Sequence, residues 1–303
     1  WPSAPGLEPV SELILAAHLE AWSHLPPAEL IGFHGQTLCH DPQNFRTHQL
    51  GSGAEFARRA GTAVAWDFRS EDVACGGQGA PLAPIFHWAL ARYKQIEEPM
   101  AIVNLGGVGN LTWIDARLPA EQGLLAFDTG PANAPLNDFM VKTTGQPHDA
   151  GGALAASGRV DEELVALFLQ RPYFSRAAPK SLDRDSFSDM VELVAQLAPA
   201  DAAATLTGLC VASIEAALPL MPVQPKQVWI SGGGRKNSEI MRQLTLKLPM
   251  KLHDIDDIGL DGDLLEAQAF AYLAARVARG LATSFTATTA TKAPLCGGKI
   301  SLP

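Results

Sequence analysis

Three short stretches of the chain carry residues that could do chemistry. Asp128 closes an apolar run and opens the turn of "AFDTGPAN". A carboxylate at a strand end lies where ligands of α/β sheets collect, and it can serve as a general base. A plain Asx turn is the alternative, because Asp-Thr-Gly-Pro is good turn chemistry. Upstream, Asn104-Leu-Gly-Gly-Val-Gly-Asn110 breaks two apolar segments with glycines. Glycines let backbone N–H groups line a concavity that holds phosphate oxygens; a tight turn without a ligand is the other reading. The third stretch, "ISGGGRKN" at 230–237, places strand, three glycines and helix in the order that presents helix N-terminal amides to a ligand, with a tight strand–helix turn as the other reading. The Walker pattern is absent, and no G-x-G-x-x-G opens a helix, so a nicotinamide dehydrogenase is a weak reading.

Two further stretches put hydrogen-bonding side chains at strand ends. "FHGQT" supplies His34, Gln36 and Thr37; "WDFRSEDVACGGQGAP" supplies Asp67, Arg69 and Asp72. Together they suit a polyol or a sugar carboxylate, with Arg69 as the natural bidentate partner for a carboxylate. The alternative is an Asp67–Arg69 loop network, with His34 a structural histidine. The spacing of His34, His40 and His48 is no metal-site pattern, and no protein metal site is expected.

The elements that must position these residues alternate between strand and helix, which indicates an α/β protein. Leu30–Thr37 reads as a short strand running into a polar turn, and "TAVAW" as a strand before a loop rich in Gly, Pro, Asp and Arg. Pro81 and Pro84 precede a helix at "IFHWALARY". An acidic, proline-containing joint at "EEPMAIVNL" marks a domain boundary near residue 98. Strands follow at 101–104, 110–114 and 124–127. Helices are expected at "DEELVALFL", at "DAAATLTGLCVASIEAAL" with Asp201 as N-cap, from Ser238 to Leu248 after an Asn237 cap, and at "DLLEAQAFAYLAARVARG" with Asp263 and Glu266 as a capping box.

The 303 residues are 47% hydrophobic, ample for one large or two medium domains. A net charge of −9 argues against a broad nucleic-acid footprint. Cys39, Cys75, Cys210 and Cys296 are far apart, which fits a reduced, cytoplasmic compartment better than a disulfide framework. No signal segment leads the chain, and no uninterrupted apolar run of about eighteen residues suggests a membrane span. Trp1, not Met, is the first residue.

The blocks "GFHGQT", "DFRSEDVACGGQGAPLAP", "VNLGGVGNLT", "FDTGPAN", "ISGGGRKN" and "GLDGDLLEAQAFAYLA" together resemble the anhydro-N-acetylmuramic acid kinases, of the sugar-kinase, Hsp70 and actin superfamily. The six blocks run in order from about Ile31 to Gly280. The resemblance implies two α/β domains of ribonuclease-H type with a cleft between them. It places domain I at 1–97, joined by the tail 286–303, and domain II at 98–285. It implies an ATP- and Mg²⁺-dependent cytoplasmic enzyme of peptidoglycan recycling, which opens the 1,6-anhydro bridge with water and phosphorylates O6. Asp128 is then the base. His34, Gly35, Gln36, Thr37, Asp67 and Arg69 bind the sugar. Asn104, Gly106, Gly107 and Asn110 form the second phosphate loop. Gly232, Gly233, Gly234, Arg235 and Asn237 form the adenosine loop. Partners are the sugar and ATP, not nucleic acid or membrane; a homodimer is left open. The chain departs from the family in lacking its opening "GTMSGTSxDG" loop, in "DTGPANAPLN" at 128–137, in "PKSLDRD" at 179–185 and in the ending "GGKISLP". The expectation is therefore an incomplete first domain and weak ATP binding. The alternative function is a catalytically inactive, sugar-binding or regulatory relative.

Overall fold

The computed structural model describes residues 6–182 and 184–303; Trp1 and Asp183 of the "PKSLDRD" segment lie outside them. The chain divides into two compact units, one made of residues up to 90, 120–122 and 266–303, the other of 91–119 and 123–265.

The first unit carries a three-stranded sheet of β1 (Leu30–Phe33), β4 (Ala63–Trp66) and β10 (Lys299–Ser301). β1 runs parallel to β4, and β10 runs antiparallel to it. Beside it stands a separate hairpin of β2 (Gln36–Asp41) and β3 (Arg46–Leu50). Leu15, Phe33, Phe56, Ala57 and Val64 form its buried cluster. A side chain at Gly32 would drive its Cβ to 2.4 Å from the Phe270 carbonyl oxygen. Only glycine therefore lets β1 lie directly against the helix Leu265–Ala278.

Two boundaries differ from the sequence reading. The first unit ends at 90, not 97, and it takes back the chain at 266, not 286. The Gly32–Phe270 packing is the reason for the second shift. The polar turn expected after β1 is only His34-Gly35, because β2 begins at Gln36. That strand escaped notice because its first three positions are all exposed, so no alternation marks it.

The second unit carries a five-stranded sheet in the order β7-β6-β5-β8-β9, with β5 Met100–Leu105, β6 Val108–Ile114, β7 Leu124–Pro131, β8 Gln227–Ser231 and β9 Lys251–Asp254. β5, β6 and β7 form an antiparallel meander, and β8 and β9 extend it parallel to β5. This is the ribonuclease-H type of sheet that the resemblance implied. Val103, Leu111, Phe127 and Ile230 stand in register on one face. They pack with Cys210, Val211 and Ile214 of the helix Pro199–Ala217 and with Ile240 and Leu244 of the helix Ser238–Lys247. Full burial of each such aliphatic or aromatic side chain contributes about 1.5–3 kcal/mol.

The helix at 199–217 starts at Pro199, whose missing N–H costs nothing at a first helical position. Asp201 is therefore not its N-cap; its carboxylate instead accepts the Arg159 N–H at 2.7 Å. With the turn that follows, this segment, Pro199–Leu220, has a mean hydropathy of 1.5 and is long and apolar enough to cross a membrane. It is 67% buried inside the protein, as a core helix is.

Candidate active site

In a sheet, residues directly opposite on neighbouring strands point to the same face. Asp128 on β7 pairs with Asn110 on β6, Asn110 with Asn104 on β5, and Asn104 with Ser231 on β8. Since Phe127, Leu111, Val103 and Ile230 take the helix-covered face, these four polar residues form a row on the opposite one. The Ser231 hydroxyl donates to the Asn104 Oδ1 at 3.5 Å. The row thus runs from the candidate base to the glycine turn that follows Ser231.

One glycine stretch joins the two middle strands of this row and the other follows its Ser231 end, and each is held by its own local bonds. Gly106 and Gly107 form the tip of the β5–β6 hairpin, against the start of the helix Asn133–Thr144. The Gly107 carbonyl accepts from Ala132 and Ala134, the Gly106 carbonyl from Asn133, and the Leu105 carbonyl from Asn133 Nδ2 at 2.7 Å. The tip carbonyls are thereby turned onto the helix.

The second turn is closer still. Gly232 has φ +78°, and a Cβ there would come 2.4 Å from Asn104 Oδ1. Gly234 is pressed onto Leu105, while Gly233 is exposed. The side chains of Arg235 and Asn237 are committed to holding this turn. Arg235, with a side chain 4% exposed, pairs with Asp254 at 3.4 Å, Asp256 at 3.4 Å and Asp263 at 2.8 Å. Asn237 Oδ1 accepts from Glu239 and Ile240 as an N-cap. Asp263 also pairs with Lys236 at 2.7 Å.

Asp128 stands at a β-bulge, where the register shifts between Gly109 and Asn110 and Thr129 becomes the extra residue of β7. Its carboxyl is desolvated, and burial raises its pKa to about 7 against the lowering effect of the Leu182 N–H, which donates to Oδ2 at 2.7 Å. The main chain around it is fixed as well. Asp128 N–H donates to the Lys180 carbonyl at 2.9 Å, and the Tyr173 hydroxyl donates to the Asp128 carbonyl at 2.5 Å. Burial pushes the Tyr173 hydroxyl well above the ordinary phenol range, with the Asp128 charge adding to it. Tyr173 thus remains a neutral donor. The Lys180 ammonium is buried, donates to the Tyr173 carbonyl at 3.0 Å and lies 4.5 Å from the Tyr173 ring centre. Tyr173, Lys180 and Leu182 carry no periodic signal; only the partial match at "PKSLDRD" pointed to that segment.

The candidate sugar residues lie in the first unit. His34 is exposed, with Nδ1 2.5 Å from the Gly35 carbonyl and its ring 5.1 Å from Phe270. Gly35 has φ +64° and is pressed onto the Leu50 carbonyl. Gln36 and Thr37 are exposed at the start of β2, with Thr37 Oγ1 3.4 Å from Gln49 Nε2. Asp67, at φ +59°, accepts from Ser70 and pairs with Lys299 at 2.8 Å, so no Asp67–Arg69 pair forms the loop. Arg69 instead donates to the Gly79 carbonyl at 2.8 Å; desolvation pulls its pKa down, while Glu266 and Asp72 pull it up. The buried Asp72 organises the loop after Arg69 by accepting from Gly79 N–H at 2.6 Å and from the Thr289 hydroxyl at 2.7 Å.

A family model for anhydro-N-acetylmuramic acid kinase matches residues 10–302. A curated anhydro-N-acetylmuramic acid kinase of Cereibacter sphaeroides is 50% identical over 306 aligned positions, covering 100% of this chain and 82% of that protein. Anhydro-N-acetylmuramic acid kinase 1 of Jannaschia sp. is 49% identical with the same coverage, and the kinase of Methylobacterium nodulans is 46% identical over 99% of this chain and 81% of its own. Among solved structures, a ROK family glucokinase from Streptomyces griseus in complex with glucose and AMPPNP is 14% identical at a TM-score of 0.45, covering 90% of each chain.

Proposed function

The chain belongs to the anhydro-N-acetylmuramic acid kinase family, and we propose that it opens 1,6-anhydro-N-acetylmuramic acid with water while transferring the γ-phosphoryl group of ATP to O6. Water forms a bond to C1 and gives a proton to the Asp128 carboxylate. The C1–O6 bond breaks with its electron pair on O6. O6 then bonds to the γ-phosphorus, and ADP leaves. The products are N-acetylmuramic acid 6-phosphate and ADP. The observation that carries this reading is Asp128, a desolvated carboxyl with a pKa near 7, at one end of a polar row that leads to a glycine turn. A base poised near the working pH is the efficient choice for taking a proton from water.

On the same reading, the hairpin at Gly106 and Gly107 faces the phosphates, and the turn Gly232–Gly234 faces the adenosine, with Asn104 bracing both. Arg235 and Asn237 shape that turn from behind. His34, Gly35, Gln36, Thr37, Asp67 and Arg69 supply the sugar contacts, Arg69 to the lactyl carboxylate. Among the described residues, no three His, Cys, Asp or Glu gather to cage a metal. Mg²⁺ would be supplied on the triphosphate with several of its own waters, where it would neutralise phosphate charge. A cytoplasmic location fits the use of ATP.

An inactive relative is not favoured, since the whole chain aligns with kinases at 49% and 50% identity. The test is coupled ADP release with the anhydro sugar, with phosphorus NMR of the product. A 6-phosphate of the opened sugar is expected; ADP release independent of the sugar would overturn the reading.

A further inference from the structure

The polar row gives Asn110 a place that its glycine-rich surroundings conceal. It is the direct cross-strand neighbour of Asp128, on the same face of the sheet, whereas Asn104 lies one strand further away. Side chains so paired have Cβ atoms about 4.5–5.5 Å apart, a gap that one water bridges. The two asparagines also differ in their commitments. Asn104 accepts from Ser231 and is pressed against Gly232. The half-buried Asn110 side chain makes no hydrogen bond among the described residues. An amide held at the edge of a bulge, with donor and acceptor both uncommitted, beside a desolvated carboxylate, is a ready partner for a small polar molecule.

A water that attacks carbon has two O–H groups. One proton goes to the base. The other must find an acceptor, or the water tumbles and its lone pair loses its aim. We propose that the Asn110 Oδ1 accepts that second O–H, so that Asn110 is a catalytic residue on the water side of the reaction and not a phosphate ligand. The inference rests on the assignment of Asp128 as the base. The bonds made and broken are those given above, and Asn110 gains and loses no proton.

Methanol separates this role from nucleotide binding. It can give its one O–H to Asp128, but it has no second O–H for Asn110, so an intact Asn110 favours water over methanol. The experiment uses the full chain, Mg²⁺-ATP, the anhydro sugar and methanol at fixed concentration, and measures the methyl glycoside 6-phosphate against the free sugar 6-phosphate. Asn110→Ala is expected to lower kcat about 10–100-fold, raise the methanol share severalfold and leave Mg²⁺-ADP affinity within twofold of wild type. Asn110→Asp, which keeps the shape and an acceptor oxygen, is expected to hold the methanol share near wild type, with its optimum moved to higher pH by the second carboxyl. A tenfold loss of ADP affinity with kcat retained at saturation would overturn the proposal and make Asn110 a nucleotide ligand. An unchanged product ratio in Asn110→Ala would also overturn it. Full turnover in Asp128→Asn, by contrast, would bring down the base assignment itself.

Discussion

Asp72 and Asp128 are the same residue type, one in each unit, the first inside the short helix Ser70–Ala74 and the second on β7, and their carboxyls are supplied very differently. Asp72 is fully buried, and both its oxygens are satisfied, by the Gly79 N–H and the Thr289 hydroxyl. A carboxylate so supplied is a structural post. Asp128 is desolvated yet set against one backbone donor, from Leu182, and its pKa climbs to about 7. At Asp128 burial outweighs that single donor.

The comparison breaks first at turnover. Asp128→Asn should lower kcat about 10²–10⁴-fold, the usual share of a general base, with ADP affinity unchanged by calorimetry. A variant retaining most of its activity would make Asp128 a second post. Asp72→Ala should act on stability. It leaves the buried Gly79 N–H without an acceptor and the Thr289 hydroxyl with only its longer bond to the Phe285 carbonyl at 3.4 Å; at about 1–3 kcal/mol for an unsatisfied buried donor, the urea midpoint of unfolding should fall clearly.

The pH dependence sharpens the contrast. Because Asp128 must be ionised to act, kcat/KM should climb about tenfold per pH unit below pH 7 and level off above it. The stability effect has the reverse sign. The folded chain holds this proton up to about pH 7, whereas an unfolded carboxyl releases it at roughly pH 4. The cost to folding is absent below the lower value, grows between the two and is complete above the upper one. Melting curves should show Asp128→Asn gaining on wild type as pH rises from 4 to 8. The smallest effect is expected of Tyr173→Phe, which removes the bond to the Asp128 carbonyl. A loss of about 0.5–1.5 kcal/mol in stability and a modest fall in kcat would mark Tyr173 as a support for the base.

Asp128 and both glycine turns were legible as candidates because Asp128, Gly106 and Gly232 each sit where an apolar run stops. What surrounds Asp128 was not, because Tyr173 and Leu182 reach it from 45 and 54 residues away. Nothing in a single sequence marks such a meeting. The commitments of Arg235 were hidden for a related reason: Asp254, Asp256 and Asp263 are brought to it by β9 and the chain beyond it. The strand β2 was hidden by its exposure, and the extent of the first unit by one close approach, Gly32 under Phe270.

That close approach has a bearing on the order of events at the ribosome. Strand β1 leans on a helix that begins at Leu265, and β4 takes its antiparallel neighbour from Lys299–Ser301. Apart from the short 120–122 segment, the second unit is one unbroken stretch of chain, and it can collapse while translation proceeds. The first unit's opening strands emerge early and must wait for its last ones. During that interval β1 and β4 have each other, but β1 lacks its covering helix and β4 its antiparallel neighbour. A nascent chain arrested shortly after residue 265 has emerged should therefore show a protease-resistant 91–265 body behind a cleavable leading segment.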